Sequence, residues 1–173
     1  KDAAIVLEDA DLSRSAAGIA WAAFANAGQN CAAIERCYVV DSVWDAFVAK
    51  LEEEVSRLRV GPGPEGEVDL GRLSTEYQQR IVDEQLAELR ERGVATLTPA
   101  GPEGPVLALN PPEDLRICTE ETFGPILPLF SVPEADTAVE AANRSPYGLT
   151  VSVWSKDLHR AERLGRRVHA GIV

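Results

Sequence analysis

Residues 3–40 read AAIVLEDADLSRSAAGIAWAAFANAGQNCAAIERCYVV, and this stretch decides the fold. The apolar run at 3–7 has the length of a strand. Asp9 and Asp11 follow with oxygens suited to capping a helix. Leu12, Ala16, Ile19 and Ala23 then recur at helical spacing, with Trp21 and Phe24 alongside. Gly28 is the expected end of this helix, because glycine takes the left-handed conformation at little cost. Residues 37–40 read as the next strand. Strand, helix and strand within 40 residues make the first turn of an α/β alternation.

The alternation continues outward. Asp41 or Ser42 is the expected cap of a second helix, whose apolar face carries Trp44, Phe47, Leu51, Val55 and Leu58. Gly61-Pro62-Gly63-Pro64 and the acidic residues after it read as a loop. Ser74 or Thr75 opens a third helix marked by Tyr77, Ile81, Leu86 and Leu89, and Gly93 stops it. Strands are expected at 94–97, 105–109, 126–130 and 149–154, with a non-periodic stretch at 111–125. A fourth helix runs from Pro133 to Asn143, and a fifth, capped by Asp157, runs to Val168. Gly171-Ile172-Val173 reads as the start of a further strand. The pattern predicts one domain over 1–173: a three-layer αβα fold with a mostly parallel sheet.

Composition removes several function classes. The 173 residues hold 17 Lys and Arg against 28 Asp and Glu, a net charge of −11. That balance argues against nucleic acid, which requires clustered cations to displace counterions, and against an anionic membrane surface. No apolar run approaches the roughly 20 residues of a membrane span. Residues 1–4 lack a signal-peptide pattern. Three scattered cysteines do not make a disulfide framework and fit a reducing cytoplasm. His159 and His169 have no Cys or carboxylate at ligand spacing, so no metal site is expected. Glycine-rich phosphate loops and the nucleophile elbow of serine hydrolases are absent from the sequence.

Two stretches carry chemistry. In Gly28-Gln29-Asn30-Cys31 a thiol lies just past a helix end, where unpaired N–H groups stabilise a thiolate or a neighbouring oxyanion. Cys37 and Cys118 lie in or beside apolar runs and read as small buried hydrophobes. In Glu120-Glu121-Thr122-Phe123-Gly124-Pro125, a carboxylate suits the two hydroxyls of a ribose, and a phenyl ring suits a flat heteroaromatic ring. Taken singly, a lone cysteine is more often structural and an acidic loop is more often merely solvated.

Taken together they resemble one family. Phe24-Ala25-Asn26-Ala27-Gly28-Gln29-Asn30-Cys31, with Arg36 and Val39 after it, resembles the nucleophile region of the NAD(P)-dependent aldehyde dehydrogenases. Residues 120–125 resemble that family's Glu-Glu-x-Phe-Gly-Pro loop. Asn143, Tyr147-Gly148-Leu149 and Ala170-Gly171 match its later landmarks in order, so the resemblance covers nearly the whole chain. It implies Cys31 as the nucleophile, attacking a small aldehyde to give a thiohemiacetal and then a thioester. It implies Glu121 on the nicotinamide ribose of NAD or NADP, Phe123 beside the nicotinamide, and a structural Asn26. Gln78 lies where some members have a cofactor-contacting Gln, but it reads better as an exposed helix residue.

Lys1 matches the last residue of the family's Glu-Leu-Gly-Gly-Lys segment, so the general base is expected just before it. The chain also lacks Met, and the span from Val94 to Arg116 is shorter than usual in the family, without its Gly-rich aromatic loop. The expectation is the catalytic domain of a larger, homo-oligomeric, cytoplasmic aldehyde dehydrogenase. The nucleotide-binding domain and C-terminal segment would lie outside these residues, leaving the isolated chain nearly inactive. Two other readings compete. One is an acylating relative that passes the thioester to coenzyme A; the other is a non-catalytic module that kept the fold.

Overall fold

A computed structural model describes residues 1–63 and 67–173. The Gly-Pro loop expected at 61–64 therefore ends on Pro64, which with Glu65 and Gly66 lies outside the described residues. In chain order the strands are β1 (Asp2–Val6), β2 (Ile34–Val40), β3 (Ala95–Leu97), β4 (Val106–Leu109), β5 (Ile126–Val132) and β6 (Val151–Trp154). The helices are α1 (Leu12–Phe24), α2 (Trp44–Ser56), α3 (Glu76–Glu91), α4 (Arg116–Thr119), α5 (Ala135–Asn143) and α6 (Leu158–Gly165).

The strands form one sheet in the order β3-β4-β5-β2-β1-β6. β4, β5, β2, β1 and β6 are mutually parallel, and only β3 runs antiparallel, against β4. β1 and β2 pair with Ala4 opposite Cys37 and Ile5 opposite Tyr38. Every residue of these two central strands is buried, as expected for a parallel sheet covered on both faces. Alternation splits their side chains between two cores. Ala4, Val6, Cys37 and Val39 meet Ile19, Ala23 and Phe24 of α1 and Phe47, Leu51 and Val55 of α2. Ala3, Ile5, Tyr38 and Val40 meet Val82 and Leu89 of α3, Ile117 of α4, Ala138 and Ala142 of α5 and Leu164 of α6. The fold is the expected three-layer α/β architecture.

Several boundaries differ from the expectation, each for a local reason. α1 stops at Phe24 rather than at Gly28, and a short 3-10 turn spans Ala25–Gly28. Asp11 caps α1, accepting from the Arg14 amide at 3.1 Å. Asp9 instead accepts from the Ser155 hydroxyl and the amides of Lys156 and Asp157, tying β1 to the approach to α6. Neither Asp41 nor Ser42 caps α2; the Asp41 carboxylate accepts from the Ser131 hydroxyl at the end of β5. Thr75 and Asp157 cap α3 and α6 as expected. The non-periodic stretch 111–125 contains the short helix α4, too brief to leave a period in the sequence. Pro133 precedes the N-cap of α5, Glu134. α6 ends at Gly165, and residues 171–173 contribute one bridge, Thr150 to Ile172, rather than a strand.

Candidate active site

The turn that carries the thiol is built from unusual backbone. Asn26, Ala27 and Gly28 have φ of 55°, 56° and 73°, three consecutive left-handed residues. For an L-residue this conformation costs roughly 1–2 kcal/mol, so the surroundings must hold it. Asn26 Nδ2 donates to the Gln29 carbonyl at 3.1 Å, and Gln29 Nε2 donates back to the Asn26 carbonyl at 3.0 Å. Gln29 Oε1 also accepts from the Ser74 amide at 2.8 Å, anchoring the turn to the start of α3. Asn30 Oδ1 accepts from the Ala32 amide at 2.9 Å and lies 3.8 Å from Cys31 Sγ. Cys31 emerges exposed, three residues before β2. Its own N–H donates to no acceptor among the described residues.

The other two thiols are inert by comparison. Cys37 is fully buried in β2, and desolvation pushes its thiol far up. Burial of Cys118 within α4 pushes its thiol up to about 12.

The second stretch packs directly on the first. A Cβ added to Gly28 would sit 2.4 Å from the Gly124 carbonyl oxygen, so glycine at 28 is what lets the two loops touch. The loop is held from three sides. Gln78 of α3 donates its Nε2 to the Thr122 carbonyl at 2.6 Å. The Glu35 carboxylate of β2 accepts from the Thr122 amide at 3.0 Å and the Phe123 amide at 2.7 Å. Lys1 Nζ donates to Glu35 at 2.6 Å and to the Thr122 hydroxyl at 3.1 Å. The Lys1 side chain is fully buried; that burial lowers its pKa, with the Glu35 charge opposing the shift. Phe123 is left-handed, with φ of 49°, and half-buried. Glu121 is exposed and makes no hydrogen bond or ion pair among the described residues.

The structure thus brings Cys31, Asn26, Glu121 and Phe123 onto two touching loops. Gln78 is not the free surface residue expected from sequence; it is half-buried and fastens α3 to the second loop. The later landmarks gather elsewhere. Asn143 donates to the Arg167 carbonyl at 2.9 Å and accepts from the His169 amide at 2.7 Å. A Cβ on Gly148 would lie 2.1 Å from the His169 carbonyl oxygen. These residues clasp the C-terminal segment to the end of α5 and to the connection that leads into β6. Arg36 likewise braces the fold, donating to the carbonyls of Lys1, Ala141 and Ala142.

Sequence reasoning missed Glu35 and the buried side chain of Lys1. The available signal was a charged Glu35-Arg36 pair inside an apolar strand, where unpaired charges are not tolerated. A cleft of about 620 Å³ lies behind both loops, touching Ala27 and Pro125 and bounded by α3 and the β3–β4 hairpin; Cys31, Glu121 and Phe123 do not line it. Among the described residues, no group of three His, Cys, Asp or Glu side chains is placed to hold a metal. Among those residues, no helix is long and apolar enough to cross a membrane.

Fold and site together define an α/β domain that presents one accessible thiol beside a carboxylate-and-phenyl loop. The comparisons place it: the chain belongs to the aldehyde dehydrogenase family, whose family model matches residues 1–173. It is 35% identical over 176 residues to the succinate-semialdehyde dehydrogenase (NADP(+)) GabD of Escherichia coli strain K12, covering 98% of this chain and 36% of that protein. It is 35% identical over 175 residues to the 4,4'-diapolycopene aldehyde oxidase of a Methylomonas species, covering 99% of this chain and 33% of the relative. Among solved structures, the NADP-dependent glyceraldehyde-3-phosphate dehydrogenase from Bacillus halodurans C-125 complexed with NADP matches with a TM-score of 0.92 and 36% identity, over 99% of this chain and 37% of that one. The chain therefore spans about a third of the length of the curated relatives it matches.

Proposed function

We propose that these residues form the catalytic, nucleophile-bearing domain of an oxidoreductase that converts a small aldehyde to a carboxylic acid with NAD or NADP. The observation that carries the proposal is the placement of Cys31. It is the one exposed thiol of three, on a turn held in left-handed backbone and packed against the loop of Glu121 and Phe123. The relatives named above include proteins described as NADP-dependent. Most of the cofactor site, the general base and the C-terminal segment would come from outside these residues, and the isolated chain would be nearly inactive. The whole enzyme would be a cytoplasmic homo-oligomer with no nucleic-acid or membrane partner.

Each residue has a definable task. Cys31 Sγ, as thiolate, attacks the aldehyde carbon and forms a thiohemiacetal. The unpaired Cys31 N–H is available to the oxyanion that develops there. Loss of hydride leaves a thioester on Cys31, and attack by water releases the acid and restores the thiol. The cofactor fits the second loop: Glu121 offers an unpaired carboxylate to a ribose diol, and Phe123 offers a half-exposed ring to a flat heterocycle. When bound, the cofactor supplies the nicotinamide that takes up the hydride. Asn26 and Gln29 hold the turn, so that Cys31 needs no reorganisation at the moment of attack.

Iodoacetamide labelling of the native chain tests this. Cys31 alone should label, and faster than an exposed free thiol in an unfolded peptide. Labelling of Cys31 no faster than that peptide would favour a non-catalytic module.

A further inference from the structure

The Glu35 carboxylate has no part in the reaction described above, yet it occupies an expensive position. It is nearly buried, with 6% of its side chain exposed, and its counter-charge Lys1 is entirely buried. Replacing such a pair by apolar side chains is often neutral or stabilising, so burial alone does not explain it. What distinguishes Glu35 is where its oxygens go. Oε1 accepts from two successive amides, Thr122 at 3.0 Å and Phe123 at 2.7 Å, while Oε2 takes the Lys1 ammonium at 2.6 Å. The second of those amides belongs to a phenylalanine in left-handed backbone. One carboxylate oxygen thus spans both amides of this turn, and a buried N–H left without an acceptor costs roughly 1–3 kcal/mol. Glu121 stands one residue before the first held amide.

We infer that Glu35 is a positioning residue for the cofactor loop: its carboxylate, oriented by Lys1, fixes the Thr122-Phe123 turn and so sets where Glu121 and Phe123 meet the nicotinamide riboside. This rests on the roles proposed for those two residues. The link is through the backbone, so Glu35 acts on cofactor binding without touching the cofactor. Its distinguishing property is acceptor geometry rather than charge.

Two double variants of the full-length enzyme that contains this segment separate the possibilities. Lys1→Met with Glu35→Gln removes both buried charges but leaves an amide oxygen to accept from the two N–H groups. Lys1→Met with Glu35→Ala removes the acceptor as well. The Gln double variant should keep the cofactor KM within about threefold of wild type, and the Ala double variant should raise it about tenfold or more. Amide hydrogen exchange at Thr122 and Phe123 should accelerate only in the Ala double variant. Equal cofactor KM in the two double variants, or equal exchange, would overturn the inference. Should the Ala double variant not fold, the wild-type protein decides: a Phe123 amide exchanging as fast as that of Glu121 would overturn it.

Glu121→Gln is the reference. If it leaves the cofactor KM unchanged, the underlying reading of the loop fails and this inference fails with it. If it raises KM while the Ala double variant does not, Glu35 alone is overturned.

Discussion

Gly28→Ala strikes the contact on which the site depends. Gly28 has φ of +73°, and a Cβ there would lie 2.4 Å from the Gly124 carbonyl oxygen and 2.7 Å from the Gly124 carbonyl carbon. Both obstacles are backbone, so no side-chain rotation relieves them. Ordinary van der Waals contact begins at 3.4 Å, so the two loops must separate by about 1 Å. The left-handed conformation adds roughly 1–2 kcal/mol for an L-residue, and overpacking adds roughly 1–3 kcal/mol. The expected loss is therefore about 2–5 kcal/mol, a large share of the roughly 5–15 kcal/mol typical of a folded domain. Denaturant unfolding with circular dichroism measures it, with Gly71→Ala as control, since nothing lies within 4 Å of a Cβ at Gly71. In the full-length enzyme, a 1 Å misplacement between thiol and cofactor loops should cost about 100-fold in turnover. A Gly28→Ala protein within about 0.5 kcal/mol of wild type, with turnover intact, would refute the claim that this close approach organises the site.

The remaining expectations concern stability around the site. Burial holds the Cys118 thiol protonated in the folded chain, raising it from 9.0 to about 12. The unfolded thiol ionises first, so this contribution is full below pH 9 and is lost as pH rises toward 12. Urea unfolding of wild type should weaken with pH more steeply than that of Cys118→Ala in that window, by about 1.4 kcal/mol per pH unit; parallel slopes would contradict it. Asn143→Ala removes two hydrogen bonds to the C-terminal segment and should cost about 1–3 kcal/mol. Thermal unfolding reads that loss, and the Cys31 alkylation rate should stay at the wild-type value because Asn143 bonds Arg167 and His169 and no residue of the thiol loop.

Much of the fold can be read from local chemistry. Asp11, Thr75 and Asp157 cap helices because a short oxygen-bearing side chain serves that purpose wherever it stands before an amphipathic run. Apolar runs such as 126–130 are strands because both faces are covered. What the sequence conceals depends on partners far along the chain. Asp9 and Asp41 look like caps but are claimed by Ser155 and Ser131, distant in sequence. Ala27 is left-handed although nothing about alanine signals it; Asn26, Gln29 and the packing against Gly124 impose it. At the site, Cys31, Glu121 and Phe123 stand out through a resemblance carried by two short stretches. Glu35 and the anchoring role of Gln78 do not, because each works on backbone groups of a loop far along the chain, and Lys1 does not, because its partners Glu35 and Thr122 are equally distant in sequence.

In the proposed reaction Cys31 carries the acyl group during aldehyde oxidation. The direct measurement is an acid quench of the full-length enzyme during turnover with an aldehyde and NAD or NADP, followed by peptide mass spectrometry. An acyl adduct is expected on the peptide containing Cys31, dependent on the cofactor and absent in Cys31→Ser, with free carboxylic acid as the released product. An adduct on Cys37 or Cys118, or a Cys31→Ser enzyme that still oxidises the aldehyde, would contradict it.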